Sequence, residues 1–151
     1  MLNLRPARAA SAAALILAVA AIAAPQAAPA RVPHGKLVFV LTTGFEDLQT
    51  ANMMFKQARI AKESGYLEEV AVLAYGRGVQ LFEQTGARPA PTAGFIRAAQ
   101  QSGVKFIVCN NALTQLGIPV EKLDPKPNEI VPQGIVKLSQ MISEGYQAIR
   151  Y

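Results

Sequence analysis

Reactive side chains are scarce in this chain of 151 residues, which has one cysteine, Cys109, and one histidine, His34. Cys109 closes an apolar run, Val104 to Cys109 (VKFIVC), and is followed at once by Asn110 and Asn111. Either asparagine can cap a helix that begins near Ala112. A thiol at such a junction meets unpaired backbone N–H groups and the positive end of a helix dipole, which favour the nucleophilic thiolate. The competing role is a small buried hydrophobe at a strand end. Local spacing supplies no acid–base partner. A lone cysteine and a lone histidine fall short of the usual zinc ligand set, so neither a metal nor a cofactor is expected. His34, within Arg31 to Gly35, reads as a solvated residue.

Two further segments carry polar chemistry. Gly76-Arg77-Gly78 follows an apolar run and would bring backbone donors and a guanidinium to an anion. It lacks the third glycine of a dinucleotide fingerprint, and no phosphate-loop motif is present, so a nucleotide is disfavoured and a plain turn is the rival reading. Glu46 and Asp47 are adjacent carboxylates for which helix capping outweighs general acid–base work. Cys109 is thus the candidate nucleophile. Asn110, Asn111, Gly76, Arg77 and Gly78 are the candidate substrate-binding residues.

These segments fall at the ends of recurring elements. Lys36 to Leu41 (KLVFVL), Val70 to Tyr75 (VAVLAY) and Val104 to Cys109 are short unbroken apolar runs, the pattern of strands covered on both faces. From Asp47, a plausible N-cap, the period becomes helical: Leu48, Ala51, Phe55, Ala58 and Ala61 share one face up to Gly65. A short helical turn is expected around Val79 to Glu83 and a loop over Thr85 to Pro91. Phe95, Ile96 and Ala99 mark a further helix. Glu129 to Val131 would be a very short strand, Ile135, Leu138 and Ile142 mark the last helix, and Tyr146 to Tyr151 would be the last strand. Ser64-Gly65, Ser102-Gly103 and Glu144-Gly145 each close a helix just before a strand, the cycle that right-handed βαβ units produce. The expected fold is α/β, three layers (α/β/α) around a mostly parallel sheet of four or five strands. In such a sheet a ligand lies beyond the carboxyl ends of the strands, at Thr42 to Asp47, Gly76 to Gly78 and Cys109 to Asn111.

Composition sets the remaining bounds. The chain is 51% hydrophobic and 17% charged, which excludes a disordered acidic polymer or a disulfide-dense miniprotein. Arg5 and Arg8 precede an uncharged, alanine-rich stretch from Ala9 to Ala24, with small residues at Ala21-Ile22-Ala23 and Ala28-Pro29-Ala30. This is the layout of a secretory signal peptide over residues 1–30, cleaved after Ala23 or Ala30, with a single domain over 31–151. The stretch is too short and too alanine-rich for a stable span, and the expected location is periplasmic or secreted. The formal net charge of +5 includes both leader arginines, and the scattered remainder gives no reason to expect nucleic acid.

The ordered set KLVFVL, VAVLAYGRGVQLF, GVKFIVCNNALTQLGI and EIVPQGIVKLSQMISEGYQAIRY resembles the DsrE/DsrF-like family over nearly all of Lys36 to Tyr151. The most specific elements are GV-x-F-x-x-C with a glycine eight residues later, and the late V-P-x-G. The resemblance implies a compact, doubly wound (DsrE/flavodoxin-like) domain assembling into homotrimers or homohexamers. It further implies a sulfur carrier or sulfurtransferase holding a persulfide on Cys109, with a sulfur donor or acceptor protein, or a small thiol, as partner. Family relay cysteines are commonly followed by an arginine-glycine ending; here Gln115-Leu116-Gly117 keeps the glycine alone. The alternative within the same fold is a non-catalytic module that binds a small anion or serves a structural, oligomeric role.

Overall fold

Strand β1 (Lys36–Leu41), β2 (Glu69–Ala74) and β3 (Lys105–Cys109) are the three apolar runs, and β4 (Glu129–Val131) and β5 (Tyr146–Arg150) flank them. The computed structural model describes residues 32–84 and 87–151; the leader read over residues 1–30 lies outside them. The sheet order is β4-β3-β2-β1-β5, and all four pairings are parallel. The interior position of β1, β2 and β3 explains their unbroken apolar character, since both faces are covered.

The order of the strands decides where the helices go. The chain advances from β1 to β4 through α1 (Leu48–Glu63), α2 (Ala90–Gln101) and α3 (Asn110–Leu116). It then returns through α4 (Gly134–Ser143) to place β5 beyond β1. A right-handed crossover that reverses direction must pass over the opposite face, so α4 covers the side that α1, α2 and α3 leave open. This gives the three-layer α/β/α arrangement. The larger core joins Phe39, Leu41, Phe55, Phe82, Ile96 and Phe106. In it the Phe82 and Phe106 rings meet edge-on at 5.2 Å and 70°, a contact worth about 1 kcal/mol beyond its area. The smaller core, under α4, joins Val38, Leu73, Ile107, Val131, Met141 and Tyr146.

Asp47 caps α1 as its sequence position predicts: Thr50 N donates to Asp47 Oδ1 at 3.0 Å, and Thr50 Oγ1 to Oδ2 at 2.6 Å. Gly65, with φ +72°, ends the helix in the left-handed region that residues with a Cβ avoid. Two expectations are corrected, and the last helix, found where Ile135, Leu138 and Ile142 mark it, buries a different stripe. Helix α2 begins at Ala90, inside the segment read as loop, because Pro91 in a first turn lacks only an N–H that has no intrahelical partner. Helix α3 begins at Asn110, so Cys109 itself occupies the cap position and neither asparagine side chain caps the helix. On α4, Gly134 and Met141 are buried, with Leu138 half-buried between them, whereas Ile135, Val136 and Ile142 are 58%, 60% and 53% exposed. Residues 134, 138 and 141 share one helical face, and the stripe through Ile135 and Ile142 lies about 100° away from it.

Candidate functional site

Adjacent β3 and β4 feed connections to opposite faces: β3 runs into α3 on the first face, β4 into α4 on the second. Between two such strands the chain opens a crevice at their carboxyl ends. A hollow of about 390 Å³ lies there, lined by Tyr75, Gly76, Cys109, Asn111, Gln133 and Gly134 among others. The register pairs Cys109 with Val131, so the cysteine sits beside the turn Pro132-Gln133 that enters α4. Asn111 N donates to Pro132 O at 3.2 Å and ties the start of α3 to that turn.

Cys109 is 5% exposed and forms the wall of the hollow at the end of its strand. Gly134 N, the first N–H of α4, donates to Cys109 Sγ at 3.2 Å. The Pro132 carbonyl lies 3.8 Å away as a weak acceptor for the thiol proton. Sγ therefore has a donor on one side and an acceptor on the other, and can be met by the protein as either thiol or thiolate. No side chain caps α4 at Gln133, so the amino end of this helix opens into the crevice with N–H groups that lack intrahelical partners. The remaining polar lining is uncharged, with the carboxamide residues Asn111, Gln115 and Gln133.

The predicted site residues divide three ways. Cys109, Asn111 and Gly76 line the crevice together. Gly76 follows the extended Tyr75 with φ +56°, turning the chain away from β2 in a conformation suited to glycine. Arg77 lines a neighbouring hollow of about 160 Å³ that shares Gly76, Ala112 and Gln115 with the crevice. Its guanidinium is 3.8 Å from Glu46, and both side chains are largely solvated. Glu46 is held below the ordinary carboxylate value chiefly by the Gly44 backbone, with a smaller contribution from Arg77. The remaining pair stands outside. Asn110 is exposed on α3 and is absent from the crevice lining. Gly78 is buried, and a Cβ there would be driven into the Leu41 carbonyl, so its role is a close backbone approach.

Sequence reasoning missed Tyr75, Gln133 and Gly134. The rule that pointed to the ends of β1, β2 and β3 applies equally to the end of β4, and would have selected Pro132-Gln133-Gly134 once that strand was placed beside β3. His34 lies away from the crevice, with Nδ1 2.5 Å from the Val32 carbonyl in the exposed segment before β1. Among the described residues no group of three or more His, Cys, Asp or Glu side chains could hold a metal ion. None of their helices is long and apolar enough to cross a membrane.

This architecture has relatives among solved structures. A protein of unknown function, MTH1491 from Methanobacterium thermoautotrophicum, superposes with a TM-score of 0.64 at 22% identity, covering 78% of this chain and 100% of its own. A conserved protein of unknown function, BT1422 from Bacteroides thetaiotaomicron, gives a TM-score of 0.52 at 19% identity, covering 77% of this chain and 94% of its own. Both likenesses concern the fold. No protein with a curated description matches the chain. Residues 35–151 match the profile of the DsrE/DsrF-like family, which spans the whole sheet and the crevice, and the chain belongs to that family.

Proposed function

We propose that this chain is a small-anion-binding module of the DsrE/DsrF-like family whose ligand sits in the crevice between β3 and β4. The observation that carries this reading is the amino end of α4, which opens into that crevice with no cap from the Gln133 side chain and only its first N–H engaged, by Cys109 Sγ; there backbone N–H groups and the helix dipole favour negative charge. Arg77, one hollow away, is exposed enough to leave Glu46 and reach a ligand that spans both spaces. Calorimetric titration with thiosulfate tests it. Binding that weakens several-fold in Arg77→Ala supports the module; absence of any heat with the wild-type protein removes it.

A second reading is favoured by the N–H that Gly134 directs at Cys109 Sγ. In it Cys109 carries sulfane sulfur. The Cys109 thiolate attacks the outer sulfur of a donor persulfide, the donor S–S bond breaks, the donor leaves as a thiolate, and Cys109 becomes the persulfide. A later acceptor thiolate takes that sulfur by the same exchange and regenerates the cysteine. Intact mass after non-reducing purification separates the readings. Sulfur carriage requires a species heavier by one sulfur atom that reductant removes and that is absent in Cys109→Ser.

Export of the domain as a periplasmic or secreted protein, with cleavage after Ala23 or Ala30, rests on the basic and then alanine-rich residues 1–30. Self-association, as a homotrimer or homohexamer in keeping with the family resemblance, is supported by the exposed apolar residues Ile135, Val136 and Ile142 on α4. N-terminal sequencing of the exported protein and light scattering of the purified domain test these two points.

A further inference from the structure

Gly134 and Tyr75 stand in a relation that the burial of either residue does not require. A Cβ on Gly134 would lie 2.8 Å from Tyr75 Cβ, 3.0 Å from its Cγ and 3.1 Å from its Cδ1, closer than non-bonded carbons tolerate. Gly134 has no positive φ, so the demand for glycine here is one of space and not of backbone conformation. The space is filled by a side chain that can scarcely move aside. Tyr75 is anchored through its backbone, with its N donating to Leu41 O at 3.1 Å and its O accepting from Gly78 N at 3.2 Å. Its side chain packs on both cores at once. Gly78 in turn lies against the Leu41 backbone, which closes the frame around the tyrosine. The same Gly134 that fits against the Tyr75 ring is the residue whose N–H reaches Cys109 Sγ.

We infer that Gly134 and Tyr75 are a pair of positioning residues: the Tyr75 side chain, from its Cβ outward, sets how closely α4 approaches β3, and the Cβ missing at Gly134 lets the first N–H of that helix reach the sulfur of Cys109. This rests on the sulfur-carrying reading of Cys109 for its functional meaning, and on geometry alone for its existence. Any side chain at position 134 pushes the amino end of α4 away from the sulfur. The shortest of these contacts is to the Tyr75 Cβ, so room returns only when the whole side chain is removed, and Tyr75→Gly is the substitution that compensates.

The test has two independent parts. The first is the rate of Cys109 alkylation by iodoacetamide at one fixed pH in the native wild type, Gly134→Ala, Tyr75→Gly and the double variant, each checked by thermal melting. Loss of one hydrogen bond to a charged sulfur slows Gly134→Ala about tenfold. The double variant recovers most of that rate, while Tyr75→Gly alone stays near wild type. A double variant as slow as Gly134→Ala, or a Gly134→Ala protein as fast as wild type, overturns the inference. The second part serves if Gly134→Ala does not fold or if the wild-type thiol does not react. The backbone N–H resonance of Gly134 is followed by NMR in the wild type and in Cys109→Ala. An upfield proton shift on loss of the sulfur supports the contact, and an unchanged resonance overturns it. An unreactive wild-type thiol with an intact Gly134 contact would refute sulfur carriage and leave the positioning pair standing.

Discussion

The two ends of the sheet use their polar groups in opposite ways. At the amino ends, the first residues of three strands converge on the carboxylate that begins a fourth: Lys36 is 3.4 Å from Glu69, Lys105 forms a short ion pair with it, and Tyr146 donates its hydroxyl at 2.7 Å. Hydrogen bonds from Lys105 and Tyr146, in that order, outweigh partial burial and bring Glu69 down to about 2. Burial, followed by the same carboxylate, pushes the Tyr146 phenol well above its ordinary value. At the carboxyl ends nothing comparable closes the space. The crevice has an uncapped helix, three carboxamide residues and one sulfur, with no charged side chain in its lining. One end spends its polar groups on each other. The other leaves them facing the crevice, which is where parallel α/β sheets place their sites.

That contrast can be broken from either end. The largest effect is expected at Gly78, on the carboxyl side, where a methyl group would collide with the Leu41 backbone. Gly78→Ala should cost about 3 kcal/mol or prevent folding, as read by chemical denaturation. A variant as stable as wild type would mean that this turn tolerates a shift the packing argues against.

Glu69→Gln attacks the amino end. Its partners are partly solvated, the Lys105 side chain being 54% exposed, so screening limits the loss to about 1 kcal/mol at neutral pH. The sign of the pH dependence is fixed by the lowered value. The contribution is complete above about pH 4.5, the ordinary value, and is lost as pH falls toward about 2. The stability gap between wild type and Glu69→Gln should therefore close across that window, while ligand binding in the crevice at neutral pH stays unchanged. A gap that widens on acidification would show that Glu69 is not the stabilising carboxylate.

A smaller effect, of opposite sign, is expected at Thr92. This residue is fully buried on α2 and its Oγ1 has no hydrogen-bond partner. Thr92→Val replaces an unsatisfied hydroxyl with a methyl of similar shape and should raise stability by up to about 1 kcal/mol in a thermal melt. The smallest stability effect belongs to Arg77→Ala, within about 0.5 kcal/mol, because its pairing with Glu46 is long and exposed. Its consequence should appear only in anion affinity. A loss of stability without a loss of affinity would move Arg77 to the structural side of the comparison.

The sheet was legible because hydrophobic periodicity is a local signal. The runs around Phe39, Val72 and Ile107 fit doubly covered strands, and Asp47 marked the start of α1. Cys109 at a strand end was legible for the same reason. The far wall of its crevice was not, because Pro132-Gln133-Gly134 reads as an ordinary turn until β4 is paired with β3. That pairing joins residues more than twenty positions apart. Asn110 and Asn111 read as caps because the sequence puts the helix start near Ala112, two residues later than the observed start at Asn110. The amino-end cluster left no trace at all: Lys36, Glu69, Lys105 and Tyr146 are ordinary polar residues at strand starts, and only the register brings them together.

The position of β5 has a kinetic consequence. The last strand in sequence lies against the first, and Tyr151 N still donates to Val40 O at 2.8 Å just past its end. Until this segment docks, β1 is an edge strand, and five apolar residues after Lys36 present an open row of backbone groups to any other chain. Closing that edge requires contacts across more than a hundred residues, which is slow in parallel sheets. The interval before β5 arrives is therefore the period of greatest aggregation risk, and substitutions that weaken β5 should be felt first as lost soluble yield.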